Sequence, residues 1–234
     1  MMASRSWPCL IAMSLTVWSA SPSAAQVISS GSRTCQGVAL TFDLCPVRNN
    51  VGYDAALVEY LKTHNVPATF FISGRWAERH DREMQGLRTV STFELGTHGD
   101  VHAHLPLLTD ADQRQEIARA VARVQGRFGV AAPLFRPPYG EYNDMTVQIV
   151  KTLGLQFILW DVVSGDPDPT LAASDILTRV SRRIRPGSIV VFHANGKGKH
   201  TQEVLQALTE SVLPRKQLRP MTVSQLLACR TDAR

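Results

Sequence analysis

The sequence has no strong clustering of charge and no hydrophobic run long enough to span a bilayer. Its 25 lysines and arginines exceed its 20 aspartates and glutamates, which gives a formal charge of +5, but the basic residues are scattered. The densest basic group is only Arg182, Arg183 and Arg185. Because a basic cluster and a recognisable binding motif are both lacking, no nucleic-acid partner is expected. Because no segment has the length of a transmembrane helix, stable membrane insertion is not expected either.

Linkers, tandem repeats and low-complexity tracts are also missing, so nothing in the sequence divides the chain into separate domains. The 234 residues are 44% hydrophobic and 19% charged, which is typical of a globular protein. Single α/β barrels reach about 250 residues, so this length suits one domain.

The N-terminus has the pattern of a secretory signal. Arg5 precedes the short apolar run of residues 9–18, and the small residues that follow suit a peptidase cut before Gln26. We expect residues 1–25 to be a cleaved signal peptide and residues 26–234 to form a secreted or periplasmic domain. An uncleaved membrane anchor is the alternative.

Cysteine is scarce, with four in the chain. Cys9 would leave with the signal, and an odd number would remain in an oxidising compartment, so we expect one disulfide and one free thiol. A bond between Cys35 and Cys229 would close a very long loop and stabilise the domain by several kcal/mol. A bond between Cys35 and Cys45 is the alternative.

Short apolar runs alternate with amphipathic stretches along the rest of the chain, which predicts a parallel sheet, either open or closed into a barrel. The clearest helix is 109–128, because Thr109 or Asp110 can cap its start and Gly126 and Gly129 lie at its end. The predicted strands are residues 38–42, 68–73, 93–97, 134–136, 155–160 and 188–192.

Polar side chains lie at the carboxyl ends of these strands, where parallel sheets place their chemistry. Each of them could be an ordinary strand-end residue that meets solvent, but five such residues together favour a functional site. They are Asp43, His98, Arg136, Asp161 and His193.

His98 and His102 are four residues apart, a spacing that would bring both imidazoles to one face of a helical turn and within reach of one metal ion. Such pairs also arise by chance, and this spacing alone does not decide between the two. His104 should point away from His102 and have a structural role. The carboxylates that could provide a third ligand are Asp43, Asp54 and Asp100.

Arg136 begins a turn that contains Pro137 and Pro138. An arginine here could grip a carboxylate through two hydrogen bonds while the turn aims a backbone N–H at a substrate, although a merely stiffened loop would look the same. His193 precedes a glycine-rich loop and suits a general acid, with a buried structural histidine as the alternative.

In their order and spacing, these motifs resemble those of the polysaccharide deacetylases of carbohydrate esterase family 4, which share the NodB homology domain. The resemblance covers nearly all of residues 26–234. The matching motifs are Thr41-Phe42-Asp43, His98-x-x-x-His102, Arg136-Pro-Pro-Tyr139-Gly140, Trp160 with Asp161 and Asp166, residues 189–193, and residues 222–227.

The resemblance implies a distorted parallel (β/α) barrel, usually of seven strands, that removes acetyl groups from N-acetylated sugars with a divalent metal. The resemblance implies that Asp43 is the catalytic base and that Arg136 holds it. It implies that His193 is the acid, oriented by Asp166 in preference to Asp161. The backbone N–H of Tyr139 is the implied oxyanion donor. The implied metal ligands are His98 and His102. Candidates for substrate binding are Tyr139, Trp160, Phe192 and Leu213, with core packing as the alternative for the last three.

The sequence departs from the family at Leu44, where a second aspartate normally binds the metal. Either another group, such as Asp54, Asp100 or, as a weaker candidate, Cys45, completes the site, or the protein is a non-catalytic glycan-binding module. We favour a working enzyme because the other motif residues are present, and an esterase for O-acetyl groups is a third hypothesis. The metal would be zinc, with cobalt or nickel as alternatives. Peptidoglycan, a chitin-like oligomer and an exopolysaccharide are all compatible substrates.

Overall fold

The computed structural model describes residues 26–47 and 52–229. The expected signal peptide, residues 1–25, lies outside these described residues. Within them, nine strands form one sheet in the order β1-β6-β5-β4-β3-β2-β8-β7, and β9 pairs with β2. The strands are β1 Val27–Ile28, β2 Gly37–Leu44, β3 Ala68–Ile72, β4 Phe93–Thr97, β5 Leu134–Phe135, β6 Gln156–Ile158, β7 Val162–Val163, β8 Ile189–His193 and β9 Arg219–Met221.

Neighbouring strands in this sheet run parallel. A bridge between Ser30, just after β1, and Ser188, just before β8, links two distant parts of the strand order, so the sheet curls into a distorted barrel. The expected parallel barrel is therefore confirmed. The sheet has nine strands in the described residues where seven were expected, and β1, β5 and β7 contain only two residues each.

Helices connect the strands. Thr109 caps α4 by accepting a hydrogen bond from the backbone N–H of Asp112, and α4 continues as a π-helical turn over Ala122–Gly126, close to the predicted bounds. The helices are α1 Ala55–Thr63, α2 Gly74–Arg79, α3 Asp81–Arg88, α4 Asp110–Val121, α5 Asp144–Thr152, α6 Ala173–Arg183, α7 Thr201–Ala207, α8 Leu213–Arg215 and α9 Val223–Ala228.

Side chains of β2 alternate between the two faces of the sheet, because successive residues of a strand point in opposite directions. Leu40, Phe42 and Leu44 are buried in the apolar layer between the sheet and its surrounding helices. Thr41 and Asp43 belong to the opposite set, and Asp43 stands directly beside His193 of β8 in the parallel register. The carboxyl ends of the central strands therefore meet at one edge of the barrel.

A disulfide joins Cys35 and Cys229, as predicted, and Cys45 is a free, buried cysteine. Cys35 lies just before β2, at the edge of the barrel opposite Asp43. None of the helices in the described part of the chain has the length and apolar character needed to cross a membrane.

Candidate active site

A pocket opens at the carboxyl ends of β2, β4 and β8 and is closed on its sides by the loops that follow β5 and β7. It collects most of the residues that the sequence motifs singled out. Its walls are Asp43, Cys45, His98, His102, Tyr139, Trp160, Val163, Ser164, Gly165, Asp166, Pro167, Val191, His193 and Lys197.

Asp43 is a buried carboxylate held by Arg136. Nη1 of Arg136 donates a hydrogen bond of 2.8 Å to Oδ1 of Asp43, and Nη2 donates to the carbonyl oxygen of Leu159 at 3.2 Å. The guanidinium lies 4.0 Å from the centre of the Phe71 ring, which supports a buried cation. Burial alone would raise the pKa of Asp43, but the charge and hydrogen bond of Arg136, together with the nearby imidazoles of His98 and His193, outweigh it. The pKa therefore falls below its ordinary value and the carboxylate is ionised.

His193 is held by Asp166, which is almost fully buried. Nδ1 of His193 lies 3.0 Å from Oδ1 of Asp166, and the backbone N–H of His193 donates to Oδ2 at 2.8 Å. Burial lowers the pKa of His193, yet the hydrogen bond to Asp166 and the charges of Asp166 and Asp43 more than reverse this, so the pKa is raised. The alternative Asp161 instead binds Arg33 and the backbone N–H of Ile189, outside the pocket.

Two further side chains donate hydrogen bonds to the carboxylate of Asp166. Ser164 Oγ donates to Oδ1 and Thr201 Oγ1 donates to Oδ2, each at 2.8 Å. The sequence interpretation missed both, because a single hydroxyl in a loop or at a helix start has no pattern of its own. Their contacts depend on the packing of α7 against the loop after β7.

The two histidines of the predicted metal pair meet in the pocket, but the prediction that they lie on a helical turn is wrong. Residues 98–104 form a loop, and His102 has a left-handed backbone with φ of 67°. The His98 and His102 rings meet edge to face with their centres 4.9 Å apart. The i,i+4 spacing therefore brings the rings together through loop geometry rather than through a helix.

The electrostatics of these two imidazoles suit metal ligation. Nδ1 of His98 lies 2.9 Å from the carbonyl oxygen of Arg136 and must donate to it, which leaves Nε2 with a free lone pair 3.7 Å from Oδ2 of Asp43. Burial lowers the pKa of His98, and it lowers the pKa of His102 to about 3, so both rings are neutral.

Of the carboxylates that the sequence offered as a third ligand, only Asp43 lies beside the histidine pair, with its Oδ2 3.7 Å from Nε2 of His98. Leu44 is buried in the apolar layer, Asp54 caps α1, and Asp100 faces Arg123 with Nη1 at 3.4 Å. Cys45 reaches the pocket, but burial raises the pKa of its thiol and so disfavours the thiolate that binds metals. The described residues contain no group of three or more His, Cys, Asp or Glu side chains arranged to hold a metal ion. The neutral imidazole pair fits a divalent ion in donor chemistry, as a site with two protein ligands.

Tyr139 forms the rim beside these histidines. Its backbone has φ of 60°, and its side chain is half exposed. Its ring stacks on His104, with centres 4.0 Å apart, and meets His102 edge to face at 4.4 Å. His104 is not among the residues that line the pocket; its Nδ1 lies 2.8 Å from Oε2 of Glu141, which holds the ring against Tyr139, and these contacts fit the structural role predicted for it.

Of the three apolar candidates for substrate contact, the structure brings only Trp160 to the pocket. Phe192 is fully buried and stacks on Phe42 in the layer between sheet and helices, and Leu213 lies in the same layer. Because Phe192 points away from the pocket, its neighbour Val191 points into it. The substrate-binding prediction for Phe192 is therefore not supported by its position.

Residues 30–158, more than half of the chain, match the family model described as polysaccharide deacetylase. The chain is 29% identical over 177 residues to a bifunctional xylanase/xylan deacetylase of Cellvibrio japonicus, covering 75% of this chain and 26% of that protein. It is 28% identical over 177 residues to a peptidoglycan-N-acetylglucosamine deacetylase of Bacillus cereus, covering 76% of this chain and 62% of that protein. The chain thus spans less than two thirds of either relative.

Among solved structures, the fold is similar to that of a protein from Bacillus anthracis described as a carbohydrate esterase family 4 pseudoenzyme. The TM-score is 0.78 at 26% identity, covering 87% of this chain and 69% of that chain. A mutant of that protein, equally similar, is described as having restored enzymatic activity.

Proposed function

Because the chain belongs to the polysaccharide deacetylase family, we propose that it is a metal-dependent hydrolase that removes acetyl groups from N-acetylated sugars. The observation that carries the proposal is the pairing of Asp43 and His193 on neighbouring strands. Each faces the same pocket, and each has its own buried partner, Arg136 or Asp166. A paired base and acid need environments that shift their pKa values apart, and these two buried partners provide them.

Asp43 is the proposed base. Its ionised carboxylate takes a proton from the water molecule that attacks the acetyl carbonyl, and Arg136 fixes Oδ1 so that Oδ2 is left to face the pocket. The backbone N–H of Tyr139 would donate to the carbonyl oxygen as negative charge develops on it.

His193 is the proposed acid. Its raised pKa keeps a larger share of the ring protonated near neutral pH, and the proton passes to the sugar nitrogen as the bond between that nitrogen and the acetyl carbon breaks. The products are acetate and a free amine. Asp166 holds the ring through Nδ1, leaving Nε2 to serve the substrate.

His98 and His102 are the residues that would hold a divalent ion, with zinc expected and cobalt or nickel as alternatives. When bound, such an ion supplies Lewis acidity, which lowers the pKa of water to about 7 and polarises the amide carbonyl. Trp160 and the Tyr139 ring would line the space next to the acetyl group and the sugar.

Secretion and substrate also belong to the proposal. The sequence pattern of residues 1–25 supports export to the periplasm or medium, and a polysaccharide such as peptidoglycan, a chitin-like oligomer or an exopolysaccharide would be met there. The similarity to a peptidoglycan-N-acetylglucosamine deacetylase supports an N-acetylated sugar.

The test is the metal content of the purified protein, measured together with acetate release from N-acetylated chito-oligomers before and after chelation. We expect near-stoichiometric metal and release that the chelator abolishes. Absence of both metal and acetate release, even with added zinc or cobalt, would refute the proposal.

A non-catalytic glycan-binding module is the second candidate, and the position of Leu44 in the apolar layer favours it, since the usual third ligand is lost. The similarity to a pseudoenzyme structure points in the same direction. This candidate predicts affinity for the oligomer without acetate release at any metal concentration.

Hydrolysis of O-acetyl groups is the remaining alternative, supported by the similarity to a xylan deacetylase. An alkoxide leaves more easily than an unprotonated amine, so the acid matters less for esters. We expect His193→Ala to reduce amide cleavage by about 100-fold or more and ester cleavage by much less. Equal losses on N-acetyl and O-acetyl substrates would contradict the role given to His193.

A further inference from the structure

The loop that carries His102 has a backbone that is costly to maintain. His102 adopts a left-handed conformation with φ of 67°, which is sterically unfavourable for residues other than glycine. Such conformations persist only where the surroundings fix them. Something outside the loop must therefore hold the His102 backbone in place.

The first half of the loop is fixed by the segment that begins α2. The backbone N–H of Gly74 donates to the carbonyl oxygen of Gly99 at 3.0 Å, and that of Arg75 donates to the carbonyl oxygen of Asp100 at 2.9 Å. These bonds stop short of His102. They fix the loop up to Asp100 and leave the turn at His102 to other contacts.

Glu116 of α4 reaches that turn. A single carboxylate oxygen, Oε1, accepts hydrogen bonds from the backbone N–H groups of Val101 at 2.8 Å and Ala103 at 3.3 Å, the two residues that flank His102. Glu116 is 7% exposed. A side chain at Gly99 would come within 3.0 Å of the same oxygen, so glycine at this position leaves room for the carboxylate.

We infer that Glu116 is a positioning residue for the candidate metal site. Its carboxylate accepts hydrogen bonds from the N–H groups on both sides of His102 and so fixes the left-handed backbone between them. That backbone aims the His102 ring at His98 and Tyr139. The inference rests on the proposed function because it takes His102 to be a metal ligand. The effect of Glu116 on the orientation of the His102 ring does not depend on a bound metal.

The test compares two substitutions at Glu116 with a control on the same helix. Glu116→Ala removes the acceptor, whereas Glu116→Gln keeps an oxygen that can accept both bonds. Gln113→Ala is the matched control, because Gln113 is also buried on α4 but bonds Thr146 and the carbonyl oxygen of Leu108, away from His102.

Two measurements are made on each variant. The first is the NMR spectrum of the His102 ring protons in metal-free protein, whose shifts report the neighbouring Tyr139 and His98 rings. The second is the zinc affinity by titration calorimetry. We expect Glu116→Ala to move the His102 signals towards those of an exposed histidine and to weaken zinc binding by about 10- to 100-fold, the usual effect of losing a group that orients a ligand. Glu116→Gln should keep both properties near wild type, and Gln113→Ala should lower only the Tm.

The outcomes separate the inference from the proposed function. Unchanged His102 signals in Glu116→Ala would overturn the inference, as would an equal loss of zinc affinity in Gln113→Ala. If wild type itself binds no zinc, the proposed function fails and the metal-free spectra alone decide the inference. If Glu116→Ala does not fold, Glu116→Asp takes its place, because the shorter side chain cannot reach both N–H groups and should displace the same signals.

Discussion

A carboxylate and an imidazole stand side by side on β2 and β8, and their partners push their pKa values in opposite directions. Arg136 counters the effect of burial on Asp43 and holds its pKa low, while Asp166 counters the effect of burial on His193 and holds its pKa high. The active protonation states therefore coexist over a range of neutral pH. At the scale of single residues, the acid and base depend on these two buried neighbours.

Replacing Asp166 with asparagine should lower the pKa of His193, because the carboxylate charge that opposes the effect of burial is then removed. A protonated acid is lost as pH rises through its pKa, so the alkaline limb of the rate profile should move to lower pH. NMR titration of the His193 ring measures the shift directly. Asp161→Asn, which changes a carboxylate outside the pocket, should leave the His193 titration unchanged; an unchanged pKa in Asp166→Asn would contradict the assignment.

Leu44→Asp restores the family pattern at the cost of placing a carboxylate in an apolar layer where Leu44 is fully buried. Without metal we expect the free energy of unfolding to fall by about 3 kcal/mol or more, because a buried unpaired charge is strongly unfavourable. If the carboxylate joins His98 and His102, zinc should raise the Tm of the variant more than that of wild type. Urea unfolding with and without zinc measures both effects, and Leu44→Asn controls for shape. If the metal-free Leu44→Asp variant were as stable as wild type, this account of Leu44 would be contradicted.

At the scale of elements, the sequence predicted strands and long helices well, since apolar periodicity depends on local pattern. The strand at Phe93–Thr97 has the predicted bounds, and Thr109 caps the predicted helix. Loops were predicted less well. The left-handed turn at His102 depends on Glu116, fourteen positions later, and no local pattern of residues 98–104 contains that contact.

The sequence also could not predict which face of β8 a given residue occupies, because β8 is apolar on both faces. Phe192 and Val191 are both buried hydrophobics, and only the register with β2 decides which one meets the pocket. For a similar reason the sequence could not show that Asp54 and Asp100 lie apart from the histidine pair, since Asp54 caps α1 and Asp100 faces Arg123.

The two faces of β8 should respond differently to substitution. Phe192→Leu should lower the free energy of unfolding by about 1 kcal/mol and leave the KM for an N-acetylated oligomer unchanged, because Phe192 contacts only the helix-facing layer. Val191→Ala, its neighbour on the pocket side, should raise that KM. Urea denaturation and steady-state kinetics separate the effects. A raised KM in Phe192→Leu with normal kinetics in Val191→Ala would reverse the assignment of faces.

At the scale of the whole molecule, parallel pairing brings residues far apart in sequence to one edge of the barrel. Asp43, Arg136 and His193 are spread over most of the chain, yet they meet because each follows or ends a strand of the same sheet. The parallel barrel and this meeting point could be predicted from the alternation of elements. The loops that complete the pocket wall could not.

The disulfide between Cys35 and Cys229 closes a loop with a sequence separation of 194 residues. Cross-linking so distant a pair reduces the freedom of the unfolded chain, so Cys229→Ser should lower the free energy of unfolding by about 2–5 kcal/mol. Urea denaturation of the oxidised wild type and the variant measures the difference. The variant and reduced wild type should behave alike, whereas a variant as stable as the oxidised protein would contradict a stabilising role.

The same bond decides how the domain would carry a mechanical load. The Cα atoms of Cys35 and Cys229 are 5.9 Å apart, at the edge of the barrel about 20 Å from the pocket along β2. A pull applied between the chain before Cys35 and the chain after Cys229 would load β1 and the Ser30 bridge, and beyond them it would pass through the covalent bond and bypass β2 to β9. The strands β2 to β9, which position the pocket residues Asp43, His98 and His193, would therefore keep their arrangement under tension applied at the two ends.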